Sequence, residues 1–191
     1  MIVLRLQQSP QHAAPKTIIP AKQSEKEWIP IMLRAVFKSL QHKKELIFII
    51  QGSQPLQHLL NKPIEVHSNI QHGLLDILID SNSLHHDHIV WLDSTGTLIA
   101  FNCHWQREID LDWATQHADN YHAWEQEALF WTSKTDAIAL RADPETRGIT
   151  IIAQGTHAPG LNSEQAQTII AQYVRKCLYT HRAGSQPCLR A

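Results

Sequence analysis

The sequence predicts one α/β domain, a mixed β-sheet flanked by helices on both faces. Three observations carry that expectation. Short β-branched, apolar runs alternate along the chain with stretches whose apolar residues recur at helical spacing. Two pairs of those runs are joined by turn-rich segments, so hairpins accompany the helices. The 191 residues are 43% hydrophobic and 18% charged, enough to build a core and too apolar for a disordered chain. No repeat is visible at any period.

The elements follow in order. Residues 2–7 have strand-like composition, and Pro10, Pro15 and Pro20 make Ser9 to Ala21 an extended connector. Ser24-Glu25-Lys26-Glu27 has capping-box spacing ahead of a helical face of Ile29, Leu33, Val36, Phe37 and Leu40. Pro30 suits only a first turn, which places the regular start of that helix near Trp28. Glu45 to Gln51 reads as a buried strand closed by Gly52-Ser53. Leu56 to Leu60 fits one helical turn, and Ile64-Glu65-Val66 a brief strand. Ile70, Leu74, Leu75, Leu78 and Ile79 form a second helical stripe. Ile89–Leu92 and Leu98–Phe101 form a hairpin through Asp93-Ser94-Thr95-Gly96-Thr97.

Ala123 to Trp131 is helical by composition. Asp136–Arg141 and Ile149–Ala153 pair through the turn Asp143-Pro144-Glu145-Thr146-Arg147-Gly148. Asn162-Ser163-Glu164-Gln165 caps a last helix whose apolar face is Ile169, Ile170, Tyr173, Val174 and Leu178. The organisation expected is thus a strand and connector over 1–23, a globular domain over 24–158, a C-terminal helix over 159–182 and a loose tail over 183–191.

Charge and composition exclude some function classes. Lys+Arg 17 against Asp+Glu 18 leaves none of the basic excess that phosphate-backbone binding requires, so nucleic acid is not an expected partner. The 13 histidines add a charge that appears below about pH 6.5. The longest strongly apolar run, Leu46-Ile47-Phe48-Ile49-Ile50, is far short of the roughly 20 residues of a membrane span. Met1-Ile2-Val3-Leu4-Arg5-Leu6 lacks the apolar region and cleavage site of a signal peptide. Cys103, Cys177 and Cys188 have no metal-type or CxxC spacing. Reduced thiols in a cytoplasmic protein are expected.

His85-His86-Asp87-His88 is the densest polar cluster, set between a predicted helix and a predicted strand. Three imidazoles and a carboxylate are metal-ligand types, and a metal-dependent phosphohydrolase is one function they suggest. On an extended chain, however, only His86 with His88, or His85 with Asp87, share a side. The four cannot meet one ion, and a solvated polar turn is the ordinary alternative. Trp28, Trp91, Trp105, Trp113, Trp124 and Trp131 read as core or interface rather than as base-stacking platforms. Glu108, Asp110 and Asp112 read as a solvated acidic loop, and Arg175-Lys176 and His181-Arg182 as helix-end cations. Ser133, His122 and Asp136 make a triad only on paper.

Asn82-Ser83-Leu84-His85-His86-Asp87-His88-Ile89-Val90 resembles the Asn-Ser-Pro-Leu-His-Asp-Gly-Ala-Val segment of diadenylate cyclase domains. Ile99-Ala100-Phe101-Asn102-Cys103 is similar to the family's Ile-Ala-Ala-Gly-Cys strand, which reads Cys103 as a small buried hydrophobe. Thr135-Asp136-Ala137-Ile138-Ala139-Leu140 resembles its Ser-Asp-Ala-Val-Val-Ile strand. Pro144-Glu145-Thr146-Arg147-Gly148-Ile149-Thr150 resembles its Glu-Glu-Thr-Gly-Ala-Ile-Ser turn. Upstream elements follow the family's order and spacing, and the collinear match covers about residues 27–158.

The resemblance implies condensation of two ATP into cyclic di-AMP, in a cleft that faces its copy in a second subunit. A homo-oligomer, a nucleotide ligand and Mn²⁺ or Mg²⁺ follow from it, with Asp87 at the ATP ribose and the metal. His86, Asp87, His88, Trp124, Glu125 and Gln126 would line the cleft, with Glu145 along its rim. The departures matter as much. His88 and Ile89 stand where the family has Gly-Ala, and Trp124-Glu125-Gln126 where Arg-His-Arg holds the triphosphate. Asp143-Pro144 replaces the family's Ser-Glu. Exchanging two guanidiniums for Trp and Gln, beside a new carboxylate, removes the electrostatic stabilisation on which phosphoryl transfer depends. The expected function is a degenerate diadenylate-cyclase-like module that senses a nucleotide, regulates or scaffolds. An active cyclase centred on Asp87 and the His85–His88 phosphohydrolase are the alternatives.

Overall fold

The computed structural model describes residues 25–62, 64–80, 89–106, 109, 112–113 and 121–183. Within them the order is α1 (Glu25–Gln41), β1 (Leu46–Gln51), β2 (Ile64–Asn69), α2 (His72–Asp80), β3 (Ile89–Asp93) and β4 (Thr97–Cys103). Then come α3 (Ala123–Lys134), β5 (Ile138–Asp143), β6 (Gly148–Ala153), β7 (Thr156–Leu161) and α4 (Ser163–Ala183). The strand and connector at 1–23, Ser24, the His85–His88 cluster, Glu108, Asp110 and the tail from 184 lie outside the described residues.

The strands form one seven-stranded mixed sheet in the order β2-β4-β3-β1-β5-β6-β7. β1 and β3 pair in parallel, and β1 with β5, like the outer strands, pairs antiparallel. β1 shows why its sequence is uniformly apolar. Leu46, Phe48 and Ile50 pack with α1, α2 and α4, while Ile47 and Ile49 pack on the opposite face with Leu56, Leu59, Leu60 and α3. A strand covered on both faces loses the alternation of a half-buried one. The α/β fold with helices on both faces is therefore as the sequence predicts.

Three local expectations need correction. α1 begins at Glu25 rather than near Trp28, so Pro30 stands inside the helix. A proline there removes one backbone hydrogen bond. Trp28, Ile29, Met32, Leu33 and Val36 are all buried around it, and that packing holds the helix through the interruption. The second correction is β7, a strand for which the sequence supplied no signal. It pairs with β6 through Ile151↔Ala158 and Ile152↔His157, and includes Pro159 and Gly160. At the other edge, β2 runs beyond the expected three residues to Asn69, interrupted by an irregularity between Glu65 and Ser68. His67 there has φ 50°.

α4 starts with a reciprocal cap, in which Asn162 Oδ1 accepts from Gln165 N at 2.9 Å and Gln165 Oε1 accepts from Asn162 N at 3.0 Å. Behind it Ala166, Ile170, Val174 and Cys177 are buried at helical spacing. Trp28, Trp91 and Trp131 are buried, Trp105 stacks on Trp131 with centroids 5.7 Å apart, and Trp113 meets Phe130 edge-on. Among the described residues no helix is long and apolar enough to cross a membrane.

Candidate functional site

β1 and β5 run antiparallel, so each end of the pair brings the start of one strand beside the finish of the other. At one end Gly52-Ser53 leaves β1 next to Asp136, which precedes β5. The Asp136 carboxylate accepts from Ser53 N at 2.6 Å, from Gln54 N at 3.0 Å and from the Ser53 hydroxyl. Burial opposes its charge, but the Ser53 hydroxyl and the Gln54 and Ser53 N–H groups outweigh that and hold its pKa below the ordinary carboxylate value. Tyr173 of α4 donates its hydroxyl to the Asp136 carbonyl oxygen. A Cβ on Gly52 would stand 2.4 Å from that same carbonyl oxygen and 2.5 Å from Asp136 Cγ, so only glycine fits.

The opposite end is open. A cleft of about 650 Å³ lies between α3 and the sheet face formed by Ile47, Ile49 and Ala139. Ile89, the first residue of β3, lines it, as do His104 and Trp105 beyond β4. His122 and Trp124 border it at the start of α3, and Glu127 one turn further on. β5 contributes Arg141 and Asp143, and the turn after it Glu145.

Arg141 is the organising residue. Its Nε donates to Glu45, just before β1, and its guanidinium carbon lies 4.8 Å from the centroid of the Trp124 ring. The two side chains of that ion pair are 17% and 13% exposed, so their attraction is only partly screened. Asp143 shapes the following turn, its Oδ1 accepting from Glu145 N at 2.9 Å and its Oδ2 from the Thr146 hydroxyl at 2.8 Å. Partial burial works against the Asp143 charge. The Thr146 hydroxyl, the Glu145 N–H and the Arg141 charge prevail and keep its pKa below the usual range. Cys103, at the end of β4, is buried, and burial pushes its thiol up to about 12. It behaves as a small hydrophobe.

The sequence-derived site is brought together in part. Trp124 and Glu145 both line the cleft. Glu125 and Gln126 do not. Glu125 is buried, its Oε2 accepting from His122 N at 3.0 Å and its Oε1 lying 3.1 Å from His157 Nε2 on β7. Gln126 Nε2 donates to Tyr121 O at 2.9 Å. Both therefore secure the start of α3 instead of facing a ligand, as residues in the first turn of a helix commonly do. His86, Asp87 and His88 lie outside the described residues. Ser133 and His122 sit at opposite ends of α3, and Asp136 is engaged with Ser53, so no triad forms. Among the described residues no group of three His, Cys, Asp or Glu side chains converges as a metal ion would require.

Arg141 is the residue that sequence reasoning missed. Its signal was present: a lone cation within Ile138-Ala139-Leu140-Arg141-Ala142, where a buried charge needs a partner.

No family model and no curated protein sequence matches the chain. Solved structures do. DacA from Staphylococcus aureus, a double cysteine mutant, matches with a TM-score of 0.65 and 17% identity, over 78% of this chain and 97% of that one. A hypothetical membrane spanning protein from Bacillus cereus matches with a TM-score of 0.56 and 14% identity, over 71% of this chain and 64% of its own. At such identities the likeness concerns the fold, which is diadenylate-cyclase-like.

Proposed function

We propose that this diadenylate-cyclase-like domain binds a small nucleotide in the cleft beside Trp124 without cyclising it, and so serves as a nucleotide-sensing or regulatory module. One observation carries the reading. The start of α3, where the resemblance expects Arg-His-Arg, offers Trp124 to the cleft and turns Glu125 and Gln126 away from it. The one Lys or Arg among the described lining residues is Arg141, already paired with Glu45. Glu127, Asp143 and Glu145 add carboxylates to the same space. Removing one well-placed donor from a charge-stabilising site costs about 3–4 kcal/mol of transition-state stabilisation, or two to three orders of magnitude in rate. With the whole triphosphate cradle altered, turnover falls below detection even when the losses are not additive.

In this reading Asp87 keeps the family's place near the ribose and a Mn²⁺ or Mg²⁺ ion, and two copies face each other across their clefts. The test is incubation with ATP and either metal, followed by product analysis. No cyclic di-AMP above the protein-free background is expected. Robust cyclic di-AMP formation that disappears in Asp87→Asn would replace this reading with an active cyclase.

A further inference from the structure

We infer that Arg141 is an anion anchor that selects a ligand carrying a single phosphate, a nucleoside monophosphate over a nucleoside triphosphate. The inference rests on the nucleotide reading of the cleft and specifies its ligand.

A guanidinium has five donors in a rigid fork, and the protein uses only the inner edge of this one. Nε is committed to Glu45 and one face lies against Trp124, which fixes the plane of the group. The Nη groups make no hydrogen bond among the described residues and are not sealed from solvent. Because Arg141 lines the cleft, its outer edge is an oriented pair of donors presented to whatever enters. Orienting a long side chain in advance lowers the ordering cost of each bond it makes. The start of α3, which also borders the cleft, contributes the positive end of a helix dipole.

The surroundings limit how much negative charge can follow. Glu45 already offsets the Arg141 charge, and Asp143 and Glu145 occupy the turn that leads from Arg141 to the rim. One phosphate can take both Nη donors in a bidentate contact. A second and third phosphate would have to extend among carboxylates with no further Lys or Arg from the described lining to meet them. The apolar floor of Ile47, Ile49 and Ala139 suits the flat, weakly polar body of such a ligand.

The test compares adenosine, AMP and ATP by calorimetric titration against the full chain and two variants. One is Arg141→Gln combined with Glu45→Gln, which avoids leaving an unpaired carboxylate, and the other is Arg141→Lys. Thermal melting of each variant establishes that it is folded. The intact chain is expected to bind AMP about tenfold more tightly than adenosine, as a charge-assisted fork provides, and ATP more weakly than AMP. The double variant is expected to bind AMP no more tightly than adenosine. Arg141→Lys, which keeps the charge and loses the fork, falls between. If the intact chain binds none of the three, the nucleotide reading itself fails. If it binds adenosine and AMP equally, prefers ATP, or keeps the AMP advantage without the guanidinium, the nucleotide reading stands and the role of Arg141 is overturned.

Discussion

The two ends of the β1–β5 pair are built from the same strands and solve opposite problems. At the Gly52 end the polar groups are turned on each other: the Asp136 carboxylate takes Ser53 and Gln54, its carbonyl takes Tyr173, and no room remains for a methyl group on Gly52. At the Arg141 end the chain ties up only part of its polar capacity: Nε donates to Glu45, and Arg141 lines a cleft of about 650 Å³. One end converts charge into rigidity; the other leaves donors unspent. If the cleft holds the proposed ligand, stability and binding are carried by different residues of the same two strands, and changes at the two ends should give different phenotypes.

The largest effect is expected from Gly52→Ala. Its Cβ would fall 2.4 Å from the Asp136 carbonyl oxygen, which β1 and β5 cannot relieve without moving apart. Overpacking of this kind costs about 3 kcal/mol, read as a lowered denaturation midpoint. Thiol labelling localises the damage. In a Cys188→Ser background, Cys177 on α4 should react faster in the variant while Cys103, at the cleft end, does not. Equal acceleration of both thiols would mean that the two ends are not separable.

Asp136→Asn comes next, at about 2 kcal/mol, because an amide NH₂ would face the donors of Ser53 and Gln54. It also has a pH signature. The folded-state pKa of Asp136 is depressed, so its stabilisation is fully present above the unfolded-state value, near pH 4, and is lost as pH falls toward and through the folded-state value. Acid titration of stability should show that decline in the wild type and a flatter curve in the Asn variant.

The cleft end should be mild by comparison. Arg141→Met combined with Glu45→Gln keeps much of the contact with Trp124 and leaves no unpaired buried carboxylate, at a cost of about 1 kcal/mol. Glu145→Gln, on an exposed turn, should move stability by less than about 0.5 kcal/mol. It should nevertheless narrow the preference for AMP over ATP in titration, since one of the repelling carboxylates is gone. A large stability loss with no change in ligand preference would invert the division of labour between the two ends.

What could be read from the sequence follows the same physical division. β1, β5 and β6 announce themselves because strands covered on both faces must be continuously apolar. The α4 cap is legible because its two hydrogen bonds close within three residues. β7 is not, since an outer strand with Thr156, His157, Pro159 and Gly160 has neither alternation nor an apolar run. The candidate site divides likewise. Trp124 and Glu145 were located by position in a motif, whereas the positions of Glu125 and Gln126 said nothing of the helix-start contacts that claim them. Arg141 depends on Glu45, 96 residues earlier, and on a ring across the sheet face, and no local pattern encodes a partner at that distance.

The two outer strands also bear on how the molecule behaves in a concentrated solution. A sheet grows into fibrils when an edge presents an unbroken ladder of N–H and C=O groups to another copy. Here β2 is broken by an irregularity at Glu65–Ser68 and carries Glu65, itself held by Lys62 at 2.8 Å. β7 places Pro159, which has no N–H to offer, in the middle of its ladder. Strand-to-strand addition is obstructed at both edges. Both edges thus work against open-ended stacking of copies of this chain.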